Sequence, residues 1–177
     1  FAALYLSSLY YFKPVESVVH FTPKFWVYVV IAGCSQILAT ALMVQLFKQK
    51  NYAVGVGLAK SEAILAAIIG VTLLADHLSF LAWIGVALGG YAVFLLSKGQ
   101  QVSGFSTRTL AIGIGSGLSF AITSLLVREA SLELTTLPTL HRAAWVLLMV
   151  ISFQCISMLI YLSLFSRQTL VAMWQRL

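Results

Sequence analysis

The chain has 177 residues, of which 60% are hydrophobic and only 9% are charged, whereas soluble domains carry about 25% charged residues. A soluble fold of this length could not cover its surface with so few charges, and the mean hydropathy of +0.97 likewise indicates that lipid surrounds most of the chain. The net charge of +6 does not indicate a nucleic-acid-binding protein, because the eleven Lys and Arg residues are spread along the chain rather than clustered.

In chain order, the sequence predicts one partial membrane span and then five complete ones. The partial span, Phe1–Phe12, has the pattern of a helix whose start is absent. The complete spans are predicted at Phe25–Phe47, Ala53–Ala75, Phe80–Ser97, Thr109–Val127 and Ala143–Phe165. About 20 apolar residues are enough to cross a bilayer as a helix, and lipid forces the backbone polar groups of each span to pair internally. These runs are too long for barrel strands and do not alternate, so we predict an all-α, polytopic transmembrane helix bundle.

The predicted connections are short and polar. Ala75–Ser79 is so short that the spans on either side should form an antiparallel hairpin, with Ser79 as the N-cap of the second span. The Gly/Ser/Gln-rich stretch Lys98–Arg108 has the composition of a linker, and Arg128–Arg142 is predicted as a connection that carries Pro138.

A weak internal repeat indicates how the spans are organised. The triplet Tyr-Leu-Ser occurs at residues 5–7 and again at 161–163, in each case at the end of a span and before a polar stretch. A triplet can match by chance, but an odd number of spans lies between the two copies, so the second copy would face the opposite side of the membrane, as in inverted-repeat transporters. We therefore predict the end of one repeat in residues 1–105 and the start of a second in 106–177, as in a fragment of a longer transporter.

Two charged residues, Lys60 and Glu62, fall near the middle of the predicted span Ala53–Ala75. A charge at the centre of a membrane helix costs about 2.5–3.5 kcal/mol on insertion scales, so both side chains should face the bundle interior or a wet cavity. Two positions separated by one residue do not face each other on a helix, so each needs another partner. We interpret Glu62 as a carboxylate that responds to protons or cations and Lys60 as an anchor for an anionic group. A structural contact between helices, or a Lys60 side chain that snorkels to the interface, stays open.

Several uncharged polar residues also lie within the spans. Gln36 and Gln154 are mid-span and could either join helices or line a pocket. The span Thr109–Val127 carries a stripe of small polar residues, for which helix packing is favoured; its members are Ser116, Ser119, Thr123 and Ser124. The four-residue spacings Gly85/Gly89 and Gly113/Gly117 are also predicted to let helices approach closely. The substrate-path candidates are Glu62, Lys60, Gln36, Gln154, Ser119 and Thr123.

No pattern typical of an enzyme or a metal site occurs in the sequence. Cys34 and Cys155 fall within apolar runs, without the spacing of a metal site, and are predicted to be small buried residues at helix contacts. His141 and Arg142 precede a span and are predicted to anchor it at the interface. The sequence therefore predicts no catalytic residues, no metal and no cofactor.

Residues 61–79, SEAILAAIIGVTLLADHLS, followed by WIGVALGG at 83–90, resemble the EamA module of the drug/metabolite transporter superfamily. Asp76 and His77 stand where that module usually has Glu and Arg, Ala75 replaces its glycine, and Ala63 replaces its usual proline. The resemblance implies ten spans in two inverted five-helix halves, with export or exchange of small metabolites by alternating access. It also implies that the substrate binds near the bilayer midplane and that the loop between Lys13 and Lys24 is cytoplasmic.

The sequence thus predicts a multi-pass transporter, an exporter of small metabolites, in a bacterial inner membrane. Its expected partners are the lipid bilayer and a small-molecule substrate, while a coupling proton and a homodimer stay open. The alternative is a structural membrane subunit that packs on a partner protein without transporting anything. A lipid-modifying enzyme is disfavoured, because the sequence shows no catalytic constellation at a membrane interface.

Overall fold

The computed structural model describes residues 2–15, 19–48, 62–73, 79–98 and 107–165. Within these ranges the chain forms six α-helices and no β-strand. The helices are α1 (Ala2–Phe12), α2 (Pro23–Lys48), α3 (Glu62–Leu73), α4 (Phe80–Lys98), α5 (Thr107–Glu133) and α6 (Thr139–Phe165). The predicted all-helical architecture is therefore confirmed for the described part of the chain.

Three of these helices, α2, α5 and α6, are long and apolar enough to cross a membrane. Each has 26 or 27 residues, which at about 1.5 Å per residue gives about 40 Å, more than the roughly 30 Å hydrocarbon core of a bilayer. At most 33% of their most apolar windows is buried by the protein itself. The remaining apolar surface needs lipid around it, so these helices indicate a membrane protein.

The bounds of α2 and α4 agree with the predicted spans within two residues, and α6 begins four residues before the predicted Ala143. Residues 53–61 and 74–75 of the predicted span Ala53–Ala75 lie outside the described residues.

The largest difference is at the end of α5. The helix continues past Val127 to Glu133, so the connection predicted from Arg128 to Arg142 is only residues 134–138. The prediction was wrong there because it stopped at the first charged residues. Charged side chains do not end a helix, since Arg and Glu are good helix formers. The break comes instead near Pro138, whose ring disfavours a helical conformation in the preceding residue.

The short connection after α5 is fixed by hydrogen bonds to its backbone. The Leu137 N–H donates to the Leu134 carbonyl at 3.2 Å. The Arg142 guanidinium donates through Nε to the Leu137 carbonyl and through Nη2 to the Thr135 carbonyl. Arg142 therefore satisfies loop carbonyls that would otherwise be left without a partner at the end of α5.

The chain divides into two compact units: Phe1–Gly33 with Glu129–Leu177, and Cys34–Arg128. We call them the terminal unit and the central unit and describe each by itself. The predicted boundary between the two repeats, at residues 105 and 106, lies outside the described residues, and so do residues 75–78 of the predicted connection 75–79.

In the terminal unit, α1 packs against the first turns of α6. Leu6 and Leu9 of α1 form a buried cluster with Ala144 of α6, and Tyr10 and Trp145 pack at its edge. The Trp145 Nε1–H donates to the Tyr10 hydroxyl at 3.2 Å. A buried indole thus finds a polar partner while its ring adds to the apolar contact.

Another contact of the terminal unit joins the start of α2 to the end of α5. The Thr22 hydroxyl accepts a hydrogen bond from the Phe25 N–H at 3.1 Å, which makes Thr22 the N-cap of α2, with Pro23 as the first helical residue. The same hydroxyl donates to Glu133 Oε2 at 2.8 Å. Glu133, which ends α5, therefore lies next to the positive N-terminal end of α2, where a carboxylate is stabilised.

Close helix packing in the terminal unit depends on Gly33, which the four-residue spacing of glycines did not predict. A Cβ on Gly33 of α2 would lie 2.4 Å from Cδ1 of Phe153 on α6. Only glycine lets these two helices approach so closely. Gly33 has no second glycine four residues away, so the pattern used to predict contacts misses it.

In the central unit, α3 and α4 form the predicted hairpin. Ile64, near the start of α3, contacts Gly90, in the second half of α4. The two helices therefore run antiparallel. The Ser79 hydroxyl accepts a hydrogen bond from the Ala82 N–H at 3.3 Å. The predicted hairpin and the predicted N-cap are both confirmed.

The central unit also contains the packing of α2 against α5. The Ser35 hydroxyl donates to the Ser119 carbonyl at 3.0 Å, and the Ser116 hydroxyl donates to the Ala39 carbonyl at 3.0 Å. A later residue of α2 therefore pairs with an earlier residue of α5, so these two segments are antiparallel. The stripe of small polar residues on α5 does act in helix packing, as predicted.

Two predictions about small residues are wrong. A Cβ added to Gly85 or Gly89 of α4 would meet nothing within 4 Å, so in the described structure this pair does not bring two helices together. Cys34 and Cys155 are exposed on their helices rather than buried at contacts. Residue size and spacing do not show which face of an apolar helix meets protein and which meets lipid. A cysteine can lie on either face, because it behaves as a small apolar side chain.

Candidate functional site

The central unit brings a carboxylate and a hydroxyl together between two helices. The Ser124 hydroxyl of α5 donates to Glu62 Oε1 of α3 at 2.6 Å. This distance is within the range of a direct O–H···O hydrogen bond. Glu62 is half-buried, whereas Ser124 is exposed, so one side of the pair remains open.

Ser124 lies near one end of the apolar part of α5. It is three residues before Val127, where the predicted span Thr109–Val127 ends, and four residues before Arg128. Its partner Glu62 is the first residue of α3 in the described part of the chain. The contact therefore joins the first turn of α3 to the later part of the predicted span in α5.

The carboxylate of Glu62 can accept several hydrogen bonds. A carboxylate offers about four lone-pair positions to donors, and among the described residues the Ser124 hydroxyl donates to the carboxylate of Glu62. Among the basic residues of the central unit, Lys48 ends α2, Arg108 is in the first turn of α5, and Arg128 is four residues after Ser124 on α5. The other lone-pair positions of the carboxylate can accept a hydrogen-bonding or cationic ligand.

Two of the predicted path residues, Ser119 and Thr123, are on the same helix as Ser124. Both side chains are buried, at 7% and 6% exposure. The Ser119 hydroxyl donates to the Gly115 carbonyl at 2.9 Å, and the Thr123 hydroxyl donates to the Ser119 carbonyl at 2.8 Å. These hydroxyls stabilise the packed face of α5, while Ser124, on the next position, points its hydroxyl to Glu62.

The remaining predicted candidates are Gln36, Gln154 and Lys60. Gln36 is half-buried in the central unit, where its carbonyl accepts a hydrogen bond from the Thr40 hydroxyl at 2.8 Å. Gln154 is half-buried and belongs to the terminal unit. Lys60 lies outside the described residues.

The structure also reveals a buried histidine in the terminal unit. His141 is only 1% exposed, so the prediction that it anchors α6 at the interface is wrong. Its Nε2–H donates to the Lys13 carbonyl at 3.1 Å, and its ring meets the edge of the Tyr10 ring with centroids 5.1 Å apart. The sequence placed His141 before a span, but gave no sign that α1 would cover it.

Nδ1 of His141 is buried and has no hydrogen-bond partner in the described structure. An unsatisfied buried acceptor costs about 1–3 kcal/mol. Within the described ranges, however, no three His, Cys, Asp or Glu side chains come together as a metal site. His141 therefore ties α1 to α6, and the Glu62–Ser124 pair is the candidate functional site.

Comparisons of the chain with protein-family models, with curated proteins and with solved structures find no match.

Proposed function

We propose that this protein is a membrane transporter for small metabolites that works by alternating access, with Glu62 and Ser124 on the translocation path. The observation that carries the proposal is the hydrogen bond of 2.6 Å that joins an ionisable side chain of the apolar helix α3 to a hydroxyl of α5. An ionisable group inside the membrane is costly, and it is retained mainly where it serves a substrate or ion pathway.

The arrangement of helices supports the same function. Three helices are long enough to span a bilayer, and the Glu62 carboxylate of α3 bonds to a hydroxyl on a second helix, α5. Secondary transporters bind substrates and ions near the bilayer midplane between helical repeats. We therefore extend the proposal to the ten-helix inverted repeat of the EamA transporters, which the sequence resembles at residues 61–79 and 83–90.

The test is counterflow in proteoliposomes that contain the purified protein. The vesicles are loaded with a mixture of unlabelled amino acids, organic acids, sugars and nucleosides, and uptake of the isotopically labelled mixture is followed by mass spectrometry. The wild-type protein should exchange at least one compound faster than empty vesicles. Glu62→Gln should lower that exchange at least tenfold, because it keeps the side-chain shape but removes the charge.

The matched control is Glu133→Gln, which removes the carboxylate at the end of α5 that bonds to Thr22. This variant should reconstitute and exchange the same compound at close to the wild-type rate. Exchange that is equally fast in wild type and Glu62→Gln would remove Glu62 from the path. If no compound exchanges, and the protein instead copurifies with a fixed membrane partner, the structural-subunit alternative is correct.

A further inference from the structure

The contact between His141 and the end of α1 fixes where the imidazole ring carries its hydrogen. Nε2 lies 3.1 Å from the carbonyl oxygen of Lys13. A carbonyl only accepts hydrogen bonds, so Nε2 has to be the N–H donor, and in a neutral ring Nδ1 is then a bare lone pair. A further proton can therefore enter His141 only at Nδ1.

The packed arrangement offers no acceptor for a proton at Nδ1. His141 is 1% exposed, and its Nδ1 is buried without a hydrogen-bond partner in the described part of the chain. Protonation would turn this nitrogen into a buried N–H donor and would place a positive charge on a ring that water does not reach. Both changes are unfavourable unless the new donor and the new charge are paired. Adding the proton therefore opposes the packing of α1 on α6.

The described groups around the ring do not offset that cost. From α1, the ring meets the edge of the Tyr10 ring and the Lys13 carbonyl, which the neutral Nε2–H already occupies. The basic side chains of Lys13 and Arg142 belong to the contacting residue and to the neighbour of His141, so they add positive charge. The carboxylate of Glu133, at the end of α5, is bonded to the hydroxyl at the start of α2.

We propose that His141 is a pH-sensitive clasp, which holds the end of α1 on the first turn of α6 when it is neutral and releases α1 when it is protonated. The contact is then complete at mildly alkaline pH and is lost as the pH falls. Imidazole is the ordinary side chain that changes charge between about pH 8 and pH 5. The apolar contact that remains is a small cluster, Leu6 and Leu9 of α1 with Ala144 of α6.

The first experiment measures whether α1 leaves α6 on acidification. Spin labels are attached to Ser8→Cys on α1 and Leu159→Cys on α6, two exposed positions. The full chain, with Cys34 and Cys155 replaced by serine, is reconstituted in lipid nanodiscs, and the distance between the labels is measured by pulsed electron paramagnetic resonance. With His141 present, we expect one narrow distance at about pH 8 and a broader, longer distribution at about pH 5.

Three glutamine variants identify the histidine that is responsible. His141→Gln can still donate an amide N–H to the Lys13 carbonyl but does not titrate, so the narrow distance should persist at both pH values. His20→Gln and His77→Gln remove the other two histidines of the chain and should keep the acid response. An unchanged distance in the protein with all three histidines, or the same acid response in His141→Gln, overturns the proposal.

A second measurement does not require His141→Gln to pack correctly. The ring nitrogen-15 chemical shifts of labelled histidine report which nitrogens carry hydrogen, and the signal absent from His141→Gln belongs to His141. Near pH 8 this ring should be neutral with its hydrogen on Nε2, and the doubly protonated ring should appear only together with the longer distance. Hydrogen on Nδ1 near pH 8, or a doubly protonated ring at the short distance, contradicts the clasp.

Glu16, in the connection after α1, lies outside the described residues, so its carboxylate is tested directly. Glu16→Gln should respond to acid as the unsubstituted protein does. If acid separates the labels only in Glu16→Gln, that carboxylate neutralises the protonated ring and the proposal is wrong. All these outcomes are independent of counterflow, because they measure the position of a helix and of a proton rather than transport.

Discussion

At the scale of single residues, Glu62 and Ser124 depend on each other for their positions. The carboxylate accepts a hydrogen bond of 2.6 Å from a hydroxyl on another helix, so each side chain restricts the positions that the other can take. The pair therefore joins α3 to α5 as well as lying on the proposed translocation path. Its contribution to stability can be measured separately from any transport.

Ser124→Ala should lower the free energy of unfolding by about 1–3 kcal/mol, the range for losing a hydrogen bond to a charged group. The measurement is reversible unfolding in mixed micelles by titration with a denaturing detergent. Ser8→Ala is the matched control, because the Ser8 hydroxyl donates only to the Tyr5 carbonyl within its own helix. Equal stability of the two variants would show that the hydroxyl of Ser124 does not hold the carboxylate.

The sequence predicted Glu62 but not its partner, for a physical reason. An ionisable residue inside an apolar run is conspicuous because its cost in lipid is high. Ser124 belonged to a stripe of four small hydroxyl residues on α5, and hydroxyls of this kind equally often bond to their own helix backbone. Which of them faces another helix depends on helix rotation, which hydropathy does not determine.

At the scale of helices, close approach depends on where a glycine lies rather than on glycine spacing. Gly33→Ala should lower the free energy of unfolding by about 1–3 kcal/mol, the usual cost of overpacking, because the new methyl group would lie 2.4 Å from the Phe153 ring. Gly85→Ala is the control. Its methyl group would meet nothing within 4 Å, so it should leave stability unchanged or slightly raised, as alanine favours helix.

The same denaturing titration in micelles measures both glycine variants. A Gly33→Ala protein as stable as the wild type would mean that α2 and α6 do not approach each other at this glycine. A clear loss of stability in Gly85→Ala would mean that the Gly85/Gly89 face is covered by another helix after all, as the spacing of the glycines first predicted.

The Thr22 hydroxyl makes two hydrogen bonds at the start of α2, and the Ser79 hydroxyl makes one hydrogen bond at the start of α4. Thr22→Val keeps the shape of the side chain but loses both the N-cap bond to Phe25 and the bond to Glu133. Ser79→Ala loses only an N-cap bond, which typically costs about 0.5–2 kcal/mol. Thr22→Val should therefore be the more destabilising change, by about 1–3 kcal/mol for the additional bond to a carboxylate.

Thr22→Ser, which can make both bonds, serves as the control and should remain close to wild type. The measurement is the melting temperature in one detergent for all three variants. If Thr22→Val costs no more than Ser79→Ala, Thr22 is only a helix cap and the contact with Glu133 contributes nothing.

The positions of the helices were predictable because two costs accumulate over a whole span. Apolar side chains are unfavourable in water, and unpaired backbone polar groups are unfavourable in lipid. The runs at Phe25–Phe47, Thr109–Val127 and Ala143–Phe165 all proved to be helical. The additional turns of α5 and the packing of α1 over His141 were not predictable in this way. Both depend on tertiary contacts between residues far apart in the chain, such as Thr22 with Glu133 and Lys13 with His141.

At the scale of the whole molecule, we expect water to reach Glu62 although it belongs to an apolar helix. Exposed apolar side chains on the same unit, such as Leu88 at 64% exposure, should instead meet lipid. The two environments differ in whether a water-soluble reagent can enter them. The protein already has two exposed cysteines, Cys34 and Cys155, which have to be replaced by serine before new ones are introduced.

The most direct measurement is the reaction of single cysteines with a charged, water-soluble thiol reagent in sealed proteoliposomes. We predict that Glu62→Cys and Ser124→Cys react at a rate at least ten times that of Leu88→Cys, and that all three react once the protein is unfolded in detergent. Cysteines at positions 62 and 124 that stay as unreactive as the one at position 88 would contradict the account, because the carboxylate would then face lipid or packed protein rather than an aqueous path.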